Sequence, residues 1–223
     1  VLRAKVKIAD VSDEIVCIGI AGSDASRILK PHYPALTQQP MVVLTQDADI
    51  ILCRDANRFQ ITATPQRAIE LWQALASFTN PVGSSCWDWL DIRTGIPFIQ
   101  PATLEAFVPQ MVNFEVIGGV NFKKGCYPGQ EVVARMHYLG KPKRRMYLAH
   151  LESDIAPQAG DELYSAELEG QSCGTVVTAV AAPQSGFELL AVVQTASHDA
   201  FPVHFGGLTG ARLQFETLPY PLP

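Results

Sequence analysis

The sequence predicts an α+β protein, with a ferredoxin-like α/β sandwich portion at its start and an antiparallel β-barrel at its C-terminal end. Three observations carry this. Residues 14–78 interleave short β-rich runs with two helical stretches. Residues 142–223 hold β-rich runs separated by turn residues and little else. Between them, residues 98–122 are rich in Pro and Gly and carry no period. An irregular run of that length inside a folded chain is usually functional.

In chain order, Lys5 to Ile8 alternates and reads as a short strand. Glu14 to Ile20 is an apolar, β-branched run that ends at Gly22, as a buried strand would. Ser23 or Asp24 can cap a helix running to Lys30, where Pro31 stops it. Met41 to Thr45 and Ile50 to Arg54 form a pair of strands around Asp47–Asp49, and Arg58 to Ala63 is a third. Thr64 before Pro65 is an N-cap and N1 arrangement, opening a helix that reaches about Phe78. The order is β-α-β-β-β-α. Ser85 is expected to cap a helix from Cys86 to Thr94, closed by Gly95 and Pro97. A helix follows Pro128 and ends at Gly140. The barrel strands are expected at 144–151, 161–168, 170–180, 187–193 and 211–218, with a boundary near Lys141. The expected parts are thus 1–80, 81–141 and 142–223.

The stretch Gly118 to Arg135 is the densest in chemistry. Cys126 sits between Gly125 and Gly129, where the backbone can turn sharply. Pro128 suits the first turn of a helix, and Gln130 and Glu131 can accept from the unpaired N–H groups there. Val132, Val133 and Met136 read as an apolar side, and Glu131 and Arg135 as an i,i+4 ion pair. A helix N-terminus and the nearby Lys123 and Lys124 both favour a thiolate at Cys126. The residues equally allow a tight turn in which the cysteine is a small apolar filler.

Lys-Gly-Cys-Tyr-x-Gly-Gln-Glu-x-x-x-Arg, residues 124–135, resembles the signature of the YgfZ family, folate-binding proteins related to the T-protein (aminomethyltransferase) of the glycine cleavage system. The resemblance extends to Phe107–Asn113, Gly118-Gly119, Trp87, Asp91–Pro97 and the tail Leu218–Leu222, and so covers essentially the whole chain. It implies a T-protein-like folate-binding fold in which residues 1–141 form the folate-binding region. It implies tetrahydrofolate, or another folate, as cofactor. It also implies a role in assembly or repair of iron–sulfur enzymes, with an indirect effect on tRNA modification. Cys126 would be the reactive thiol, with Lys124 beside it. The implied folate contacts are Trp87, Arg93, Asn113, Tyr127, Gln130, Glu131 and Arg135. The implied partners are folate and iron–sulfur proteins or their assembly factors. The alternative is a folate-dependent aminomethyl or one-carbon transferase of the T-protein type. Family members carry a further N-terminal segment, so that segment is expected to be missing from this chain.

Several of these residues have a second reading. Trp87 and Trp89 cannot share a helix face, so one is expected in the core and one elsewhere; an indole is a good platform for a flat pterin. Arg93 stands where T-proteins resemble Glu-Ala-Gly, and a cation cannot accept the donor pair of an aminopterin. That argues against T-protein-like catalysis or folate orientation. Arg93 then either pairs with a folate carboxylate or is a solvated helix-end charge. Asn113 either meets a ligand or closes an Asx-turn. Gln110 and Phe114 are expected beside the cysteine loop.

Composition narrows the remaining classes. The chain has 223 residues, 48% apolar and 17% charged, which is globular rather than disordered. A net charge of −5 does not suit a protein that coats nucleic acid or anionic membranes. Lys141, Lys143, Arg144 and Arg145 form a basic cluster without interleaved aromatics, so direct nucleic-acid binding is not expected. The five cysteines include no C-x-x-C pair and the five histidines no ligand spacing. No metal site, disulfide framework or membrane span is predicted, and a cytoplasmic location is expected.

Overall fold

The structure, a computed structural model, describes residues 5–125, 127–140 and 142–223. The chain divides into two compact units, Val1–Val82 and Gly83–Pro223.

In the first unit, β1 (Val16–Ala21), α1 (Ala25–Leu29), β2 (Val43–Gln46), β3 (Asp49–Asp55), β4 (Arg58–Ala63) and α2 (Pro65–Ala76) follow the predicted order. The four strands form an antiparallel sheet ordered β1-β4-β3-β2, with Ile18 opposite Ile61 and Ile51 opposite Ile61 on the other side. Alternation puts Ile18, Ile20, Ile51, Phe59 and Ile61 on one face, where Leu29 of α1 and Leu71 and Leu75 of α2 bury against them. The Thr64 hydroxyl caps α2 by accepting from Arg67 N–H. One polar anchor runs through this core: Asp49 accepts from the Tyr33 hydroxyl at 2.7 Å and from Arg67 Nε at 3.1 Å. Burial, then the Asp49 carboxylate, pushes the Tyr33 phenol up.

Residues 5–8 form no strand, contrary to the sequence expectation. Val6 and Ile8 are exposed and no strand pairs with them, so the alternation has no sheet to join. Asp24 occupies the N-cap of α1, but its side chain bonds none of the helix N–H groups; its carboxylate pairs with Arg27 instead.

The second unit opens with α3 (Ser84–Arg93), followed by an irregular segment and α4 (Gln130–Leu139). Then come β5 (Arg144–Leu151), β6 (Glu162–Tyr164), β7 (Ser172–Ala181), β8 (Phe187–Gln194), α5 (Thr195–Ala200), β9 (His204–Phe205) and β10 (Leu213–Glu216). These six strands form an antiparallel sheet ordered β10-β5-β8-β7-β6-β9. The sheet curls until its two edges meet: Phe205 N–H donates to Ala211 O at 2.8 Å and Leu213 N–H to Val203 O at 2.9 Å. Joining the edges removes the unpaired strands an open sheet would present.

Both faces of this sheet are apolar, which is why its strands read as continuous runs. Tyr147, Ala149, Leu151, Leu189, Ala191 and Val193 fill one side. Met146, Leu148, Leu190 and Val192 form the other, and Ile92 of α3 and Val112 of the irregular segment pack on them. Helix α3 starts at Ser84 with Gly83 as its N-cap, two residues before the expected start, and Ser85 does not cap it.

Candidate functional site

The sequence-predicted residues that the structure describes lie in the second unit, on α3, the irregular segment, and the loop entering α4. Ile92 is the buried anchor of α3. Trp87 and Trp89 are both half-buried, so the structure does not set one ring in the core and the other outside it. The Trp89 indole N–H is buried without a hydrogen-bond partner.

At the end of α3, Arg93 bonds the barrel: Nη1 donates to Glu188 Oε2 at 3.1 Å and to the Glu216 carboxylate. It is therefore not the solvated helix-end charge allowed by the sequence. Two carboxylates already neutralise it. Gly95 closes the helix at φ +67°, and the Tyr220 hydroxyl from the C-terminal tail donates to its carbonyl at 2.7 Å. Burial pushes the Tyr220 phenol up, and a hydrogen bond from Asn113 works the other way.

Buried polar side chains pin the irregular segment to the barrel. Asn113 takes a left-handed backbone, φ 59°, and its Nδ2 donates to Met146 O of β5 at 2.8 Å. Its side chain is 0% exposed and turned inward, so it does not close an Asx-turn. Gln110 donates to Val133 O of α4 at 2.7 Å. Arg145 donates to Gln110 O at 2.9 Å and to the Glu115 carboxylate. Arg145, read from the sequence as part of a basic cluster at the domain junction, is in fact buried, 7% exposed. The available signal was its position inside a strand, directly before the apolar run Met146 to Ala149. The sequence reading also missed Glu115 as its partner.

The described residues of the signature loop, 123–125 and 127–129, are exposed, Lys123, Lys124 and Tyr127 among them. Lys123 N–H donates to Asn121 Oδ1 at 2.8 Å. Cys126, the expected reactive thiol, and Lys141, the expected boundary, lie outside the described residues. Gly129 at φ 82° is the N-cap of α4, so Pro128 precedes the helix rather than opening it. Gln130 reaches back as expected of a first-turn acceptor: its Oε1 accepts from Tyr127 N–H at 3.1 Å. Glu131 and Arg135 are both exposed, and no ion pair joins them among the described residues. Val133 is the buried residue of α4, while Val132 points outward, against the apolar side expected. Phe122 stacks on His137 with ring centroids 3.8 Å apart.

Among the described residues, no group of three or more His, Cys, Asp or Glu could hold a metal ion. No helix among them is long and apolar enough to cross a membrane. An open cleft of about 580 Å³ in the first unit is lined by Ser23, Ser26, Arg27, Lys30, Pro31 and Gln38 and holds none of the predicted site residues.

No protein-family model matches the chain. Individual proteins do. It is 32% identical over 225 residues to the tRNA-modifying protein YgfZ of Klebsiella pneumoniae, across 98% of this chain and 67% of that protein. It is 34% identical over 223 residues to the protein of the same name from Photorhabdus laumondii, across 97% of this chain and 67% of the relative. The chain belongs to the YgfZ family. The YgfZ protein of Photobacterium profundum matches at 36% over 163 residues, covering 48% of its length. The chain thus spans about two thirds of the first two YgfZ relatives and about half of the third. Its fold is T-protein-like. It resembles the glycine cleavage system aminomethyltransferase T of Bartonella henselae with a TM-score of 0.62 and 20% identity, over 92% of this chain and 59% of that one.

Proposed function

We propose that this protein binds tetrahydrofolate and supports the assembly or repair of iron–sulfur enzymes, and thereby tRNA modification, in the cytoplasm. The observation that carries the proposal is the match along nearly the whole chain to proteins named tRNA-modifying protein YgfZ. The T-protein-like fold supports a folate as the ligand. In this reading residues 1–80 and 81–141 make the folate-binding region, and 142–223 the barrel. Trp87 is half-buried, which leaves indole surface for a pterin to stack on. Lys124, Tyr127, Gln130, Glu131 and Arg135 surround Cys126 in sequence, and the exposed lysines favour its thiolate. Asn113 and Arg93 serve the site indirectly, by holding the irregular segment and α3 on the barrel.

Two experiments test this. Tetrahydrofolate titrated into the complete protein quenches tryptophan fluorescence, and Trp87→Phe removes most of the change. Cys126→Ala lowers iron–sulfur enzyme activity in cells; full complementation by that variant removes the cysteine from the mechanism. The second reading, a folate-dependent aminomethyl transferase, rests on the fold neighbour's activity. It predicts turnover of an aminomethyl group onto tetrahydrofolate. Arg93, neutralised by Glu188 and Glu216 where a T-protein-like carboxylate would stand, weighs against it.

A further inference from the structure

We infer that the outward face of α4 is a docking surface for an acidic protein, the iron–sulfur client or assembly factor of the proposed function. Helix α4 is attached to the fold by little: Val133 is its buried residue, and Gln110 holds the Val133 carbonyl. Its apolar stripe runs along the helix flank, about 60–120° round from that attachment. Val132, Met136 and Leu139 stand at i, i+4 and i+7, one side of a helix. Val132 is 56% exposed and Leu139 84%. Tyr138 at 69% and Tyr127 at 42% extend the apolar surface. A ten-residue helix gains its stability in water chiefly from packing an apolar face. Here that face is offered to a partner.

Charge decides the partner. Lys123, Lys124 and Arg135 are exposed around this patch, with Lys143 just beyond the helix, and Glu131 is the acidic side chain among them. Phe122 stacks on His137, which places the two lysines after Phe122 beside the C-terminal half of α4. The chain as a whole carries −5, so this face opposes the molecule's net charge. A cationic rim around an apolar centre fits a protein with an acidic surface. It disfavours a two-fold contact of this face with itself, since two such rims repel. Single-stranded RNA would share the charge but needs free ring faces for its bases. Here His137 covers a Phe122 face and meets Tyr138 edge-on at 4.8 Å, while the most exposed side chain is the aliphatic Leu139. The face adjoins the signature loop, so docking there would bring the client to the segment that carries Cys126.

The inference rests on the proposed function, and its test keeps the two apart. A photo-crosslinking phenylalanine derivative is placed in the complete protein in cells at Leu139, and at Ile155, an exposed position on the barrel unit, as control. The expected result is an adduct at 139 and not at 155, to an iron–sulfur enzyme or assembly protein. Val132→Ser with Leu139→Ser should weaken binding to that purified partner by about tenfold or more. Raising NaCl from about 50 to about 300 mM should weaken it further. The same double variant should lower iron–sulfur enzyme activity in cells while leaving tetrahydrofolate quenching intact. An adduct at 139 to RNA or to a second copy of the chain, equal adducts at both positions, no adduct, or full activity of the double variant overturns the docking surface and leaves the folate reading standing. Loss of folate quenching in the unmodified protein overturns the function itself.

Discussion

Gly95→Ala should destabilise the second unit through one identifiable collision. Gly95 holds φ +67°, a conformation that costs a residue with a Cβ about 1 kcal/mol or more. The added methyl would stand 2.7 Å from Tyr220 Cε1, 2.8 Å from its hydroxyl oxygen and 3.0 Å from Leu218 Cδ2. The Tyr220 ring must move, which breaks its 2.7 Å bond to Gly95 O. That bond contributes about 1 kcal/mol. Leu218 packs against the core beneath α3, and lifting it exposes apolar surface equivalent to another ~1–2 kcal/mol. The expected total is about 3–4 kcal/mol, a fall in melting temperature of roughly 6–16 °C for a domain of this size. Urea and thermal unfolding of the complete protein measure it. Repeating Gly95→Ala in a Tyr220→Ala background removes the Tyr220 part of the collision and should cut the cost to the backbone strain and the Leu218 contact. Costs that add, with a coupling below about 0.5 kcal/mol, would refute the reasoning.

Other expectations follow from the same contacts. Arg93→Met leaves Glu188 and Glu216 without their shared cation, and should cost about 1–2 kcal/mol after allowance for the partial exposure of the guanidinium; Glu188→Gln added to it should recover part of the loss in urea titrations. Asn113→Ala forfeits the bond to Met146 O and a left-handed backbone position that asparagine tolerates, about 2 kcal/mol by the same assay. Burial, then the Glu167 carboxylate, pushes the Cys173 thiol up to about 11. Its neutral form is thus favoured by folding, and the stability it adds is present below about pH 9 and lost between pH 9 and pH 11, roughly 3 kcal/mol in all. Cys173→Ala should flatten that interval. A thiol reagent at neutral pH should label exposed Cys17 and Cys86 quickly and leave Cys173 and Cys53 untouched until the protein unfolds.

The legibility of this chain depends on how far each element is decided locally. Strands β4 and β5 have the bounds read from the sequence, Arg58–Ala63 and Arg144–Leu151, because their β-rich runs are long and end at turn residues. Strand β9 has two residues and α5 has six, with no side-chain cap, so neither leaves a pattern to read. Residues 161–168 read as one strand, but pairing stops at Tyr164 and a 3-10 turn follows.

The candidate site divides in the same way. Gln130 at the start of α4 was legible because first-turn acceptors answer to local N–H groups. Asn113, Arg93 and Arg145 were not, because each is fixed by a partner distant in sequence: Met146, Glu188 and Glu216, and Glu115. Sequence reading weighs a charged or amide side chain as solvated or ligand-bound, and the third option, a buried brace, needs its acceptor in view. The segment Asp91–Pro97 meets the tail Leu218–Leu222 through Gly95 and Tyr220, and Phe107–Asn113 meets α4 and β5 through Gln110 and Asn113. Much of what resembles the family outside the signature therefore clamps the irregular segment onto the barrel. Substitutions in those segments should appear first as losses of stability. Substitutions at Trp87, Lys124, Tyr127, Glu131 and Arg135 should alter folate binding in a protein that still folds.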